Sequence, residues 1–202
     1  MEKIACIDLE GVLIPEMWPY IGQIAGIPAL SKTTREVPDY PQLMAQRITL
    51  LRQHGLDLQT VQKIIAHLPA LPGAIEFLAK LREQFRILIV SDAFHEMVDQ
   101  YRPAFGMPEF QCHRLHTDAN GFINGCEFLP RAGKQDVIRR LQAQGCQTLA
   151  VGDALNDLAM LRLADQGFLF LPSEETRRQA PDLTLAHGYQ DILHAVDALQ
   201  LA

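Results

Sequence analysis

The sequence predicts an α/β domain built on a mostly parallel sheet. Three observations carry this expectation. Apolar runs at residues 3–7, 86–90 and 147–151 are short and bounded by polar residues, as strands buried on both faces are. Segments with helical spacing of apolar residues separate them. Each run also ends in oxygen-bearing side chains: Asp8 and Glu10, Ser91 and Asp92, Asp153 and Asp157. Parallel strands with right-handed crossovers would bring those ends to one rim of the sheet.

The first run (KIACI) leads into Asp8-Leu9-Glu10-Gly11-Val12-Leu13. Side chains alternate along extended chain, so Asp8 and Glu10 would point the same way. Gly11 lets the backbone turn sharply and lets a ligand approach closely. Read alone, the two carboxylates suit either a ligand site or the cap of a turn.

Residues 16–26 read as a short amphipathic helix disturbed by Pro19, and residues 28–39 as a polar connector. Residues 40–54 carry Leu43, Met44, Ile48 and Leu51 at helical spacing, with Gly55 as the stop. Residues 57–68 form another amphipathic helix that Asp57 can cap. This block has helices and no clear strand. It is expected to be a helical cap inserted after the first strand, over residues 15–69, acting as a lid. Residues 1–14 and 70–202 are then the α/β core.

Pro72-Gly73 opens the next helix, which runs through Arg82, and residues 86–92 form the second strand. Residues 94–105 read as a helix that Pro103 bends or ends. Asn120-Gly121 and Asn124-Gly125 mark turns in a short antiparallel hairpin within residues 110–128. Residues 133–144 make a helix with Lys134 near its start and Gly145 at its end. The third strand at 147–153 ends in Gly-Asp, and a helix at 157–164 follows. A strand at 167–171, a short helix at 174–179, a last strand at 183–185 and a closing helix at 189–199 complete the chain.

Composition narrows the function classes. The 202 residues suit one domain, or one core with a small insertion. A net charge of -6 and the lack of a like-charge run argue against a general nucleic-acid surface. No segment approaches the length of a membrane span, and the first apolar run is too short for a signal peptide, so a cytoplasmic protein is expected. Cys6, Cys112, Cys126 and Cys146 show no C-x-x-C pattern and are expected as free thiols. Cys112-His113 with His116 lacks the second ligand pair of a zinc motif and reads as strand and turn. The seven histidines form no triad or ligand set in the sequence and read as surface or core residues. A homo-oligomer stays open.

The carboxylates gathered at one rim would repel one another unless a cation bound them, and Lys134, at a helix start, could reach the same place. Hard oxygen ligands with one hydroxyl and one ammonium suit a Mg²⁺ ion and a phosphoryl group.

With these residues in view, the sequence resembles the haloacid-dehalogenase-like phosphatases. Asp8-Leu9-Glu10-Gly11-Val12-Leu13 is similar to the first family motif, with D-x-E in place of the commoner D-x-D. Ser91, Lys134 and Gly152-Asp153-Ala154-Leu155-Asn156-Asp157 are similar to the second, third and fourth motifs, in order. Glu16 and Arg47 fall where phosphoserine phosphatases place substrate-binding residues. The stretches DLEGVL-x-PE, TTR-x-x-PDY, LM-x-QR and QHGL are especially similar to the ThrH type, bacterial phosphoserine phosphatases that also transfer phosphate to homoserine. One departure is Ser91-Asp92, where family members often carry Ser-Gly.

The resemblance implies a Rossmann-like, doubly wound core with a small helical cap. It also implies roles. Asp8 is the nucleophile that forms an aspartyl-phosphate, and Glu10 the acid and base for the leaving oxygen and the attacking water. Mg²⁺ is held by Asp8, the Glu10 carbonyl and Asp153. Ser91 and Lys134 bind the transferring phosphoryl oxygens, with backbone N–H groups from Gly11 and Asp92. Asn156 and Asp157 order the metal's water shell or Lys134, unless they merely cap a helix. Arg47 clamps the substrate carboxylate and Glu16 takes its amino group; the plain alternative is a solvated helix surface. Free Glu titrates near 4.3, so Glu10 needs an upward shift to act as an acid near neutrality. Burial and Asp8 raise it, Mg²⁺ and Lys134 lower it, and the sequence leaves the balance open. The alternatives are a phosphatase for another small phosphomonoester and a non-catalytic binding module of the same fold. A dehalogenase fits less well, because it needs neither an acid at Glu10 nor a phosphate-binding metal.

Overall fold

In a computed structural model that describes residues 1–198, seven strands form one sheet. They are β1 (Lys3–Ile7), β2 (Arg86–Phe94), β3 (Glu109–Thr117), β4 (Ile123–Glu127), β5 (Gln147–Gly152), β6 (Gln166–Phe170) and β7 (Thr184–Ala186). Their order is β4-β3-β2-β1-β5-β6-β7, and every neighbouring pair is parallel except β3 with β4. The chain builds to one side of β1 first and then returns to the other side with β5. The centre of the sheet is therefore a switch point, where the ends of β2, β1 and β5 lie side by side.

Helices cover both faces. Along β1, Ile4 and Cys6 pack with Val137, Ile138 and Leu161, whereas Ala5 and Ile7 pack with Phe77, Leu78 and Ile192. Those partners come from α6 (Gln135–Ala143) and α7 (Leu158–Leu163) on one face, and from α4 (Ala74–Leu81) and α9 (Tyr189–Ala198) on the other. This alternation explains why β1 reads as a continuous apolar run: both of its faces are covered. The short α8 (Glu174–Gln179) lies between β6 and β7, capped by Ser173. The expected last residue of the closing helix, Leu199, lies outside the described residues.

Between β1 and α4 the described chain is helical: α1 (Met17–Ala25), α2 (Tyr40–Gln53) and α3 (Leu58–Ile65). Asp39 and Asp57 accept backbone N–H bonds at the starts of α2 and α3, as capping residues do. The chain leaves and re-enters the α/β part at one place, where Leu71 N donates to Leu13 O at 2.8 Å. Apolar residues of these helices, among them Met17, Ile21, Met44, Val61 and Ile65, join the cluster on the α4–α9 face. The β3–β4 hairpin braces them, with Arg52 on Asp118 at 2.5 Å and Leu58 N on Gly121 O at 3.0 Å.

Four local expectations change. Pro19 does not disturb α1, because it falls in the first turn, where N–H groups have no partner within the helix. α3 ends at Ile65, three residues early, and Leu68 N closes a turn back to Ile65 O. The helix expected over 94–105 shrinks to α5 (His95–Val98) and one 3-10 turn. Phe94 stays in the sheet, paired with His113 and fully buried, so β2 extends past the expected end. Asn124-Gly125 is strand rather than turn: Gly125 pairs with His116, and only Asn120-Gly121 makes the hairpin loop. Tertiary pairing outweighs turn preference there.

Candidate active site

Asp8 directly follows β1, and its N–H still donates to Val151 O on β5 at 2.9 Å, so the ladder fixes its backbone. Its side chain faces Lys134, whose Nζ lies 2.7 Å from Asp8 Oδ1 and 2.7 Å from Asp157 Oδ1. Lys134 opens α6 and is only 2% exposed. The other Asp157 oxygen accepts the N–H groups of Asp153 and Ala154, both at 3.1 Å. Asp157 thus closes the turn after β5 and orients the lysine together. Two glycines make room. Gly11 has φ +78°, and a side chain there would run into the Asp153 carboxylate; one at Gly152 would meet Asp157.

Carboxylate oxygens of Asp8, Asp153 and Asp157 all lie within 4.8 Å of one another. A single ammonium does not balance three carboxylates. Burial, then Asp157, raises the Asp8 carboxyl well above its usual range despite Lys134. Burial, then Asp157 and Glu16, pushes Asp153 to about 7. Lys134 responds in the opposite sense: burial would lower it, but Asp157 and Asp8 outweigh burial and hold it charged. Hard oxygen donors with this unmet demand for positive charge fit a small divalent cation between Asp8 and Asp153. Asp157 is less available, since both its oxygens are already engaged.

Glu10 turns toward the helical block. Its Oε1 accepts the N–H of Met17, the first residue of α1, at 2.7 Å. Burial, followed by Glu16, raises Glu10 to about 8, against the pull of Met17 N–H, Arg47 and Lys134. The N–H of Gly11 donates to Ile14 O at 2.8 Å, so it is not offered to a ligand as expected; the tight turn after Asp8 uses it. Tyr189 secures the same turn. Its ring stacks between Phe77 and Phe170, and its hydroxyl donates to Val12 O at 2.6 Å.

Ser91 is buried within β2, and its Oγ accepts the N–H of Ala93 at 3.1 Å. That leaves its hydroxyl proton free to be donated elsewhere. Asp92 is held by its carboxylate: Oδ1 receives Arg131 at 2.6 Å and Oδ2 receives Asn156 Nδ2 at 3.0 Å. Asn156 therefore reaches β2 rather than Lys134. On the helical side Arg47 is 5% exposed, not a solvated helix residue. Its guanidinium lies 4.4 Å from the centre of the Trp18 ring and donates to Lys32 O at 2.7 Å, while Nε is buried without a hydrogen bond. Glu10 and Glu16 are the carboxylates whose charges act on it. Glu16 stays exposed at the start of α1.

Sequence reasoning missed four residues. Arg131 grips Asp92 from a loop three positions before Lys134, and that R-A-G-K spacing was the available signal. His113 is buried, 3.6 Å from Asp92, and accepts Leu129 N–H at 3.0 Å. Tyr40 donates its hydroxyl to Asp92 O at 2.7 Å, joining α2 to β2. Trp18 underlies Arg47. No local pattern marks these last three. All four cysteines are free thiols, with Cys6 and Cys112 buried. Among the described residues no helix is long and apolar enough to cross a membrane.

Comparison with known proteins shows the family. Residues 2–165 match the haloacid dehalogenase-like hydrolase model. Phosphoserine phosphatase ThrH of Pseudomonas aeruginosa is 39% identical over 94% of this chain and 93% of its own length. A phosphoserine phosphatase of Pseudomonas syringae pv. tomato is 37% identical over 94% of this chain and 80% of its own. In fold, a phosphoserine phosphatase from T. onnurineus superposes with TM-score 0.74 at 24% identity, covering 97% of this chain and 94% of that one. A phospho-aspartyl intermediate analogue of phosphoserine phosphatase gives 0.77 at 20% identity, covering 96% and 98%. The chain belongs to the haloacid dehalogenase-like hydrolases, in the phosphoserine phosphatase family.

Proposed function

We propose that this chain hydrolyses O-phospho-L-serine to serine and phosphate through an aspartyl-phosphate on Asp8, with Mg²⁺ as its cofactor. The observation that carries the reading is the buried Asp8–Lys134–Asp157 chain beside Asp153, with a buried cation, Arg47, on the helical block within the reach of the Glu10 and Glu16 charges. Relatives that align over nearly the whole chain are named phosphoserine phosphatases.

Asp8 supplies a carboxylate oxygen that attacks phosphorus as the bond to the seryl oxygen breaks. Asp8, the Glu10 carbonyl and Asp153 would hold the Mg²⁺, which when bound would supply the positive charge that lets one anion attack another. Lys134 and the Ser91 hydroxyl donate to the phosphoryl oxygens, whose charge distribution changes most in the transition state. Glu10, raised to about 8, carries a proton near neutrality and passes it to the departing seryl oxygen. The same carboxylate then takes a proton from the water that attacks the aspartyl-phosphate, releasing phosphate and restoring Asp8. Arg47 offers its unpartnered Nε, on a guanidinium fixed by Trp18, to the substrate carboxylate, and Glu16 takes the ammonium. Residues 15–69, which carry this pair, serve as the cap that closes over the Asp8 rim.

Phosphate release from a panel of small phosphomonoesters, with Mg²⁺, tests the reading. Phosphoserine should be turned over fastest, and Arg47→Ala should slow phosphoserine selectively. Another preferred ester that is indifferent to Arg47 would replace phosphoserine as substrate. Transfer to homoserine, which the ThrH likeness implies, uses the same aspartyl-phosphate with an alcohol in place of water. Phosphohomoserine formed when homoserine is added would establish it.

A further inference from the structure

Asp92 places a negative charge next to the segment that, on the reading above, binds a phosphoryl group. Left free, such a carboxylate would repel the ligand. Here both its oxygens are engaged. Arg131 takes Oδ1 at 2.6 Å, with His113 Nε2 at 3.6 Å, and Asn156 takes Oδ2 at 3.0 Å. The nitrogen of Arg131 that binds Asp92 also donates to Ser91 O at 3.2 Å. One guanidinium therefore holds the carbonyl of the phosphate-binding serine and the charge of its neighbour.

Arg131 is not a surface ion-pair partner. Its side chain is 8% exposed, and Nε and the second terminal nitrogen are buried without hydrogen bonds. Burying unpaired N–H groups on a cation is costly, and the bonds to Asp92 and Ser91 O are what Arg131 gains in return. Its loop is anchored where Ala132 N–H donates to Asp136 on α6, the helix that Lys134 opens. The two cations are therefore fixed relative to one another.

We propose that Arg131 is a positioning residue for phosphoryl binding: by neutralising Asp92 it keeps the Ser91-Asp92 segment where the Ser91 hydroxyl meets the phosphoryl group. The inference rests on the placement of phosphate at Ser91. It does not depend on which phosphomonoester is hydrolysed.

The test is calorimetric binding of inorganic phosphate to the Mg²⁺-loaded protein, in a cycle of Arg131→Ala, Asp92→Asn and the double variant, with melting curves for each. Arg131→Ala should weaken phosphate about tenfold, the scale of a lost hydrogen bond to a charged group. The double variant should bind within about threefold of Asp92→Asn alone, because a neutral residue 92 no longer needs its counter-ion. If Arg131→Ala unfolds, Arg131→Gln, which can still reach the Ser91 carbonyl but carries no charge, takes its place with the same expectation. Unchanged phosphate affinity in the single variant overturns the proposal. So does a double variant as weak as Arg131→Ala, since Arg131 would then act on the ligand or the fold rather than through Asp92. Wild-type protein that binds no phosphate overturns both this proposal and the reading beneath it. Wild-type protein that binds phosphate in the expected pattern yet leaves phosphoserine intact removes only the substrate assignment.

Discussion

The two sides of the site are built differently. On the sheet side, Asp8, Lys134 and Asp157 bind one another, and backbone bonds from the ladder and the Asp153 turn hold them. On the helical side, Arg47 leans on Trp18, bonds a single carbonyl through one nitrogen, and keeps Nε unpaired, while the Glu16 side chain makes no capping bond. On the proposed function, the difference separates chemistry from recognition. Groups that must meet the changing charge of a transition state are set in advance, which saves reorganisation during the reaction. On the proposed reading, Arg47 keeps its Nε in reserve for the substrate carboxylate.

The comparison can be broken at several points. The largest effect is expected at Asp8. Asp8→Asn should lower phosphate release by about ten-thousandfold or more, with Mg²⁺ present and the fold intact by circular dichroism. Lys134→Met comes next. It should cost about a hundred- to thousandfold in kcat, and about 3–5 kcal/mol in stability by denaturant titration, because two buried carboxylates lose their counter-ion. A mild effect on both would mean that the sheet side is not pre-set.

Saturating Mg²⁺ should raise stability by about 2.7 kcal/mol at a hundredfold excess over its dissociation constant, read as a higher melting temperature. Asp153→Asn should abolish that gain and Glu16→Gln should not, if the cation belongs to the sheet side. Arg47→Ala should raise KM for phosphoserine about ten- to hundredfold with a smaller change in kcat, as loss of ground-state binding does. A pure kcat effect would instead give Arg47 a part in the chemistry. The smallest change is expected at the hydroxyl bond between the two sides. Tyr40→Phe should cost about 1 kcal/mol in stability and leave kcat within about threefold.

Much of the fold was legible because strands buried on both faces leave an unmistakable apolar signature. β1 and β5 stand where their runs predict, β2 begins where its run does, and α2 and α6 end at the glycines expected to stop them. Elements that depend on distant partners were not legible. The helix expected over 94–105 is mostly absent, because Phe94 pairs with His113 across the sheet. Asn124-Gly125 lies in a strand because His116 stands opposite.

The candidate site divides along the same line. Asp8, Lys134, Asp153 and Asp157 could be named from their places at strand ends and a helix start. Nothing local distinguishes Arg47 from a surface arginine, or marks Tyr40 and His113 as neighbours of Asp92. Arg47 gains its burial from Trp18, on a different helix, and from the carbonyl of Lys32.

By itself, then, the chain specifies which segments become strands and that their polar ends share a rim. Periodicity and parallel crossovers suffice for that, and both are written in neighbouring residues. Only the tertiary structure decides which partner each charge receives: Lys134 between Asp8 and Asp157, Arg131 on Asp92, Glu10 on the first N–H of α1. Those choices turn on separations of a few tenths of an ångström between groups far apart in sequence. Hydrogen bonds and ion pairs are short-ranged and directional, so the packing that sets these separations also shifts the titration of Asp8, Glu10, Asp153 and Lys134.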